Sequence, residues 1–171
     1  DKRRLTDELS IERRLQLVDE AADLGTRSIN FDGAGEPTID PKFWDIIERM
    51  AKRNIIPIVY TEATLRLTDR AFCQKLYDLG ATVVLKMNSL WDEVYQNAIV
   101  AGPPGRKRPM ADNYFHKRAE ALEILYDIGF AKTTPTRLAF DTIICKQNQE
   151  EIIQLHRYTR QNNVFVLFVN Y

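Results

Sequence analysis

The chain has 171 residues, enough for one domain with a real core. Lys+Arg and Asp+Glu balance at 24 each, which excludes a global electrostatic drive toward nucleic acid or an anionic membrane surface. No apolar run could span a bilayer, no signal peptide is visible, and Cys73 and Cys145, without metal-ligand spacing, fit a reducing, cytoplasmic compartment.

Thr6 is placed to cap a first helix, in which Leu9, Leu15, Val18, Ala22 and Leu24 recur at helical spacing up to Gly25. SINF (28–31) reads as a short strand. Asp40-Pro41 opens a second helix with Phe43, Ile46, Ile47 and Met50 on one face. IPIVY follows as a strand, with Pro57 near its start, where a missing N–H is tolerated. Thr68 is expected to cap a third helix ending at Gly80, and TVVLKM is the next strand. A short helix over 89–100 carries Trp91 and Tyr95 as a packing pair, and the basic loop GPPGRKRPM comes after it. A longer helix over about 113–128 ends at Gly129, and LAFDTIIC is a strand. Asn148 and Glu151 form a capping box for the helix IIQLHRYTRQ, and VFVLFV closes the chain as a strand. ADLG, YDLG and YDIG are three similar helix ends, each with Gly just past the last apolar position.

Strands alternating with helices predict a parallel α/β sheet, either a barrel or a doubly wound sheet. The leading helix leaves room for a strand before it. Since the chain begins at Asp1, the expectation is a piece of a longer protein. Strand alternation places Ile29 and Phe31 toward the helices, and Ser28, Asn30 and Asp32 on the other face. Tyr60 and Glu62, Lys86 and Asn88, and Asp141 likewise put polar groups on one face, toward the C-terminal ends of their strands. A sheet covered on both faces would have to bury them, whereas a barrel lumen opening onto a polar ligand tolerates them. After Phe31 the chain reads Asp32-Gly33-Ala34-Gly35-Glu36-Pro37. Glycines at a strand's end mark a sharp turn or a place where something approaches the backbone closely.

The AGEP of residues 34–37 resembles the GGEP motif that ends the second barrel strand of radical S-adenosylmethionine enzymes. The flanks are similar along nearly the whole chain. LTDELSIERRLQLVDEAADLG looks like that family's first helix, and IPIVYTEAT like its third strand with a turn often reading T-N-G. TVVLKMNS looks like its fourth strand, FDTIICKQNQEEI like its fifth, and VFVLFVNY like its sixth. The resemblance implies a partial (β/α)6 TIM-like barrel with parallel strands that lacks its first strand, residues 1–171 forming one truncated core domain. It implies S-adenosylmethionine as cofactor: Gly33, Ala34, Gly35 and Glu36 would hold the methionine ammonium. Thr61 lies in the neighbouring turn. Lys86, Asn88 and Ser89 would meet the ribose hydroxyls or the carboxylate. Asn148 falls where relatives often carry an asparagine, although a helix cap already accounts for it.

The resemblance further implies a [4Fe-4S] cluster that reductively cleaves the cofactor to a 5′-deoxyadenosyl radical, which abstracts hydrogen from a substrate. The implied partners are an electron donor such as a flavodoxin or ferredoxin, and a peptide, RNA or small-molecule substrate. The CxxxCxxC motif is absent, so the cluster ligands are expected upstream and this chain alone is expected to be inactive. Relatives often have serine and aspartate where this chain has Lys86 and Asn88. The arginine that follows some three turns later is also not found, Gln96 and Asn97 being the nearest polar residues. Three alternatives stand beside this reading: a barrel kept as a binding scaffold, a barrel enzyme holding a phosphorylated ligand, and convergence of Asp32, Glu36 and Glu62 on a divalent cation. Arg106, Lys107 and Arg108 form either a solvated loop or an anion clamp, and His116 and His156 read as surface histidines.

Overall fold

The structure is a computed structural model and describes residues 8–33, 35–101 and 113–170. Strand β1 (Ser28–Phe31) pairs in parallel with β2 (Ile56–Thr61), β2 with β3 (Thr82–Lys86), β3 with β4 (Leu138–Ile144) and β4 with β5 (Phe165–Asn170). Spatial order equals chain order, β1-β2-β3-β4-β5. A doubly wound sheet reverses direction at a switch point, and this one never does, so the singly wound, barrel-like alternative holds. The five strands form a curled half-barrel with its helices outside.

Helices α1 (Ile11–Asp23), α2 (Phe43–Lys52), α3 (Arg70–Asp78), α4 (Glu93–Ala101), α5 (Tyr114–Ile128) and α6 (Ile152–Gln161) complete the described elements. The outward strand positions are aliphatic and bury against them: Val59, Val83, Leu85, Leu138 and Phe140 are fully buried beside Ile47, Met50, Leu76 and Leu125. Phe31, Phe43, Trp44 and Phe72 form an aromatic cluster at the β1 end, with ring centroids 4.7–5.7 Å apart. Gly25, Gly80 and Gly129 take the left-handed conformation after α1, α3 and α5, as their helix-end motifs predict. Pro57 precedes the first β2–β3 pair, Ile58 with Thr82, so its missing N–H costs that ladder nothing.

Several boundaries differ from the sequence expectation. Thr6 lies outside the described residues; Ser10 caps α1, accepting the Arg13 amide at 3.3 Å. Asp69, not Thr68, caps α3, taking the Ala71 and Phe72 amides. A carboxylate there also complements the positive end of the helix. Pro37–Ile39 form a short 3-10 turn before α2. The fourth helix starts at Glu93, because Ser89 Oγ accepts the Trp91 and Asp92 amides and makes a separate turn of residues 89–92. Trp91 therefore leaves the helix and packs on Tyr158, while the Tyr95 hydroxyl meets Cys145 Sγ at 2.7 Å, so the expected Trp91–Tyr95 pair does not form.

Candidate functional site

The strand register builds one inner face from alternate residues. Tyr60 lies beside Val84, Val84 beside Ala139, Lys86 beside Asp141, and Asp141 beside Leu167. Asn30, Tyr60, Lys86 and Asp141 thus line the concave face, with Asp32, Glu62 and Asn88 at the strand tips above them. The β4–β5 side is apolar, carrying Ile143, Leu167 and Val169. The lumen groups sense one another. Burial, and then the neighbouring Asp32 charge, push the Asp141 carboxyl above its ordinary value, while Lys86 pulls it back. Burial also raises the Tyr60 phenol, with Asp141 and Asp32 adding to the effect.

Two polar hubs, one half-buried and one fully buried, fasten the rim. The first is Glu36. Its Oε1 accepts the Thr38 amide at 3.2 Å, the Thr38 hydroxyl at 2.6 Å and the Thr61 hydroxyl at 2.7 Å, and its Oε2 accepts the Glu62 amide at 2.8 Å. Three donors crowd Oε1 and one reaches Oε2, so the carboxylate is largely engaged within the chain. This hub ties the bend after β1 to the tip of β2. It also holds the tight turn at Ala63, whose positive φ of 69° is rare for a residue with a Cβ.

Arg118, on α5, is the second. It is 2 % exposed and donates to the carbonyls of Lys86 at 3.1 Å and Ser89 at 2.9 Å, and to the Gln96 side-chain oxygen. Its guanidinium thus reaches the region of Gln96 from another helix, where the sequence reading found no arginine. Tyr114, one turn earlier, lies 5.2 Å from the guanidinium by its ring centroid and donates its hydroxyl to Glu62. Both were missed, although Tyr114, Arg118, Leu122 and Leu125 share the buried face of α5 at helical spacing.

The expected site residues separate into two groups. Gly33, Gly35, Lys86 and Asn88 stand at the rim, and Ala34 between the glycines lies outside the described residues. Lys86 Nζ is 3.7 Å from Glu62 Oε1. Asn88 Oδ1 accepts the Ile143 amide at 2.9 Å, and its Nδ2 has no partner among the described residues. By contrast, Glu36, Thr61, Ser89 and Asn148 are committed to the protein itself. Thr61 lies on the helix side of β2, bound to Glu36. Ser89 Oγ donates to Glu151 at 2.6 Å while accepting its two amides. Asn148 is fully buried and does not cap α6. Its Nδ2 bonds the carbonyls of Asn88 and Ile143, both at 2.8 Å, and its Oδ1 takes the Cys145 amide at 2.9 Å. Water can satisfy an exposed helix end, whereas two buried strand-tip carbonyls need a donor from within.

Gly33 and Gly35 carry a specific message. Neither has positive φ, and a Cβ added at either would meet nothing within 4 Å. Among the described residues neither backbone strain nor crowding calls for glycine, and both positions are open to approach from outside the chain. The lumen's charge also selects: Asp32, Glu62 and Asp141 face one ammonium, Lys86. An arrangement of that kind suits a ligand with net positive charge, such as a sulfonium bearing an amino acid. The residues therefore fit S-adenosylmethionine.

They do not fit an iron–sulfur cluster. Cys73 is buried in α3, its thiol pushed up to about 12 by burial, and Cys145 sits past the β4 tip against Tyr95. Two separated thiols cannot supply three ligands. Glu36 and Glu62 turn to different partners, and among the described residues no three metal-ligating side chains gather. His116 is exposed and pairs with Glu93 at 3.3 Å, and His156 is exposed on α6. Residues 106–108 lie outside the described residues. No described helix is long and apolar enough to cross a membrane.

Comparison with known proteins agrees with this geometry. A family model described as the radical SAM superfamily matches residues 1–159. A "Tungsten-containing aldehyde ferredoxin oxidoreductase cofactor-modifying protein" from Pyrococcus furiosus is 26% identical over 158 residues, covering 91% of this chain and 41% of the relative. The chain thus spans about two-fifths of the length of that relative.

Proposed function

The chain belongs to the radical SAM superfamily, and on that premise we propose that its lumen binds S-adenosylmethionine as part of a larger enzyme. The observation that carries this reading is the glycine bend, where among the described residues nothing lies within 4 Å of a Cβ at Gly33 or Gly35. In this reading the bend takes the ligand ammonium through its backbone carbonyls, with Glu36 Oε2, which accepts one internal hydrogen bond, as a further acceptor. Lys86 takes the ligand carboxylate. Asn88 Nδ2 donates to a hydroxyl, and Asp32, Glu62 and Asp141 balance the sulfonium charge. Ile143, Leu167 and Val169 keep water from the apolar part of the ligand.

Bound there, the cofactor would supply reductive carbon–sulfur cleavage for hydrogen abstraction, and the ligands of the cluster implied by the family are not among these 171 residues. A flavodoxin or ferredoxin would be the donor, in a reducing, cytoplasmic setting. Among peptide, RNA and small-molecule substrates, the Pyrococcus relative's name, a cofactor-modifying protein, supports a small molecule.

Calorimetric titration of S-adenosylmethionine into the full-length protein tests this. Gly35→Ala adds one methyl group where the chain itself has room, so it should abolish binding and leave the melting temperature unchanged. A Gly35→Ala protein that binds like wild type would remove the reading's main support.

A further inference from the structure

Tyr114 and Arg118 begin α5 and are 3 % and 2 % exposed. Burying a guanidinium is costly unless it is paired with charge, yet every acceptor within hydrogen-bond reach of Arg118 is neutral: two carbonyls and the Gln96 amide. Burial accordingly pulls the Arg118 guanidinium down from its ordinary value. The anion that partly balances it is Glu62, and Tyr114 stands between the two, its ring against the guanidinium and its hydroxyl on the Glu62 carboxylate.

Glu62 is consequently held at two points, its amide on Glu36 at 2.8 Å and its Oε2 under the Tyr114 hydroxyl. Its other oxygen stops 3.7 Å from Lys86 Nζ, outside hydrogen-bond range. The two charges already form a long ion pair, and the Tyr114 hydroxyl is the described side-chain contact that fixes Glu62 at that separation.

We propose that Tyr114 is a positioning residue of the lumen: it holds the Glu62 carboxylate off Lys86, so that the ammonium stays available to a ligand carboxylate, and Arg118 holds Tyr114. This rests on the reading of the lumen as an S-adenosylmethionine site. Removing the hydroxyl lets Glu62 collapse onto Lys86, and the ligand's carboxylate then competes with an internal one.

The test uses the full-length protein, with Tyr114→Phe, which keeps the ring, and Tyr126→Phe as control. Tyr126 donates to Tyr158 of α6, in the contact between the two helices. S-adenosylmethionine and its decarboxylated analogue are titrated into each. The expected result is roughly tenfold weaker S-adenosylmethionine binding for Tyr114→Phe, the scale of one charge-assisted hydrogen bond. Binding of the decarboxylated analogue stays at the wild-type level, and the control loses neither ligand. Equal loss of both ligands, or loss of neither, overturns the proposal.

Absence of binding to wild type defeats the cofactor reading instead, and a ligand-free measurement then decides the tether. The Lys86 Cε–Nζ resonances should move in Tyr114→Phe and not in Tyr126→Phe. Unmoved resonances in Tyr114→Phe overturn the tether by themselves.

Discussion

The bend after β1 and the turn after β3 are each fastened by one charged side chain, half-buried Glu36 and buried Arg118, of opposite sign. Glu36 gathers donors: two amides and two hydroxyls. Arg118 gathers acceptors: two carbonyls and an amide oxygen. Each hub decides what its neighbourhood still has to offer. The Glu36 hub consumes the Thr38 and Glu62 amides. With the Lys86 and Ser89 carbonyls consumed, the β3 turn is left presenting the Lys86 ammonium and the Asn88 amide protons. In the proposed site a zwitterionic ligand would meet the glycine bend on one side and this donor edge on the other.

That asymmetry can be broken. Glu36→Ala should have the largest effect, stranding four donors at once at a cost of about 3 kcal/mol in urea unfolding. Arg118→Met should cost less, about 2 kcal/mol, because carbonyls tolerate losing one partner better than N–H groups do and an aliphatic chain relieves a buried cation. An Arg118→Met loss equal to or above that of Glu36→Ala would mean the hubs are not asymmetric. Lys86→Met should leave stability within about 0.5 kcal/mol and weaken S-adenosylmethionine binding roughly tenfold, which calorimetry reads directly.

The smallest effect concerns Asp141. Its folded pKa is raised above the unfolded one, chiefly by burial. Its contribution is therefore fully present below the unfolded value near pH 4 and is lost as pH rises through the folded value. Asp141→Asn should flatten this stretch of the pH–stability curve, with urea midpoints drawing closer to wild type at acid pH than at neutral pH.

Periodicity made the strand–helix order and the inward polar set legible, since two-residue alternation is a local property. The strand order needed register, which depends on contacts between distant segments. Lys86 fell on the inward face that alternation predicts, with Asn88 at the strand tip above it. Ser89 and Asn148 could not be separated from ligand contacts by sequence, because each has one distant partner: the Glu151 carboxylate 62 positions from Ser89, and the Asn88 carbonyl 60 positions from Asn148. Arg118 carried a readable sign, a cation on the buried stripe of α5, but its destination was not written in that helix. The expected capping role of Asn148 failed for the same reason: a local motif was outcompeted by one distant carbonyl together with the nearby Ile143 carbonyl and Cys145 amide.

The alternation along β3 and β4 has a bearing on ancestry. Outward-pointing Val83, Leu85, Leu138 and Phe140 carry the folding free energy, while Lys86 and Asp141 between them point to the hollow. A lineage can therefore exchange the inward set one substitution at a time and remain folded at each step. Such a scaffold is open to retooling for new substrates by drift in the very residues that do least to hold it up.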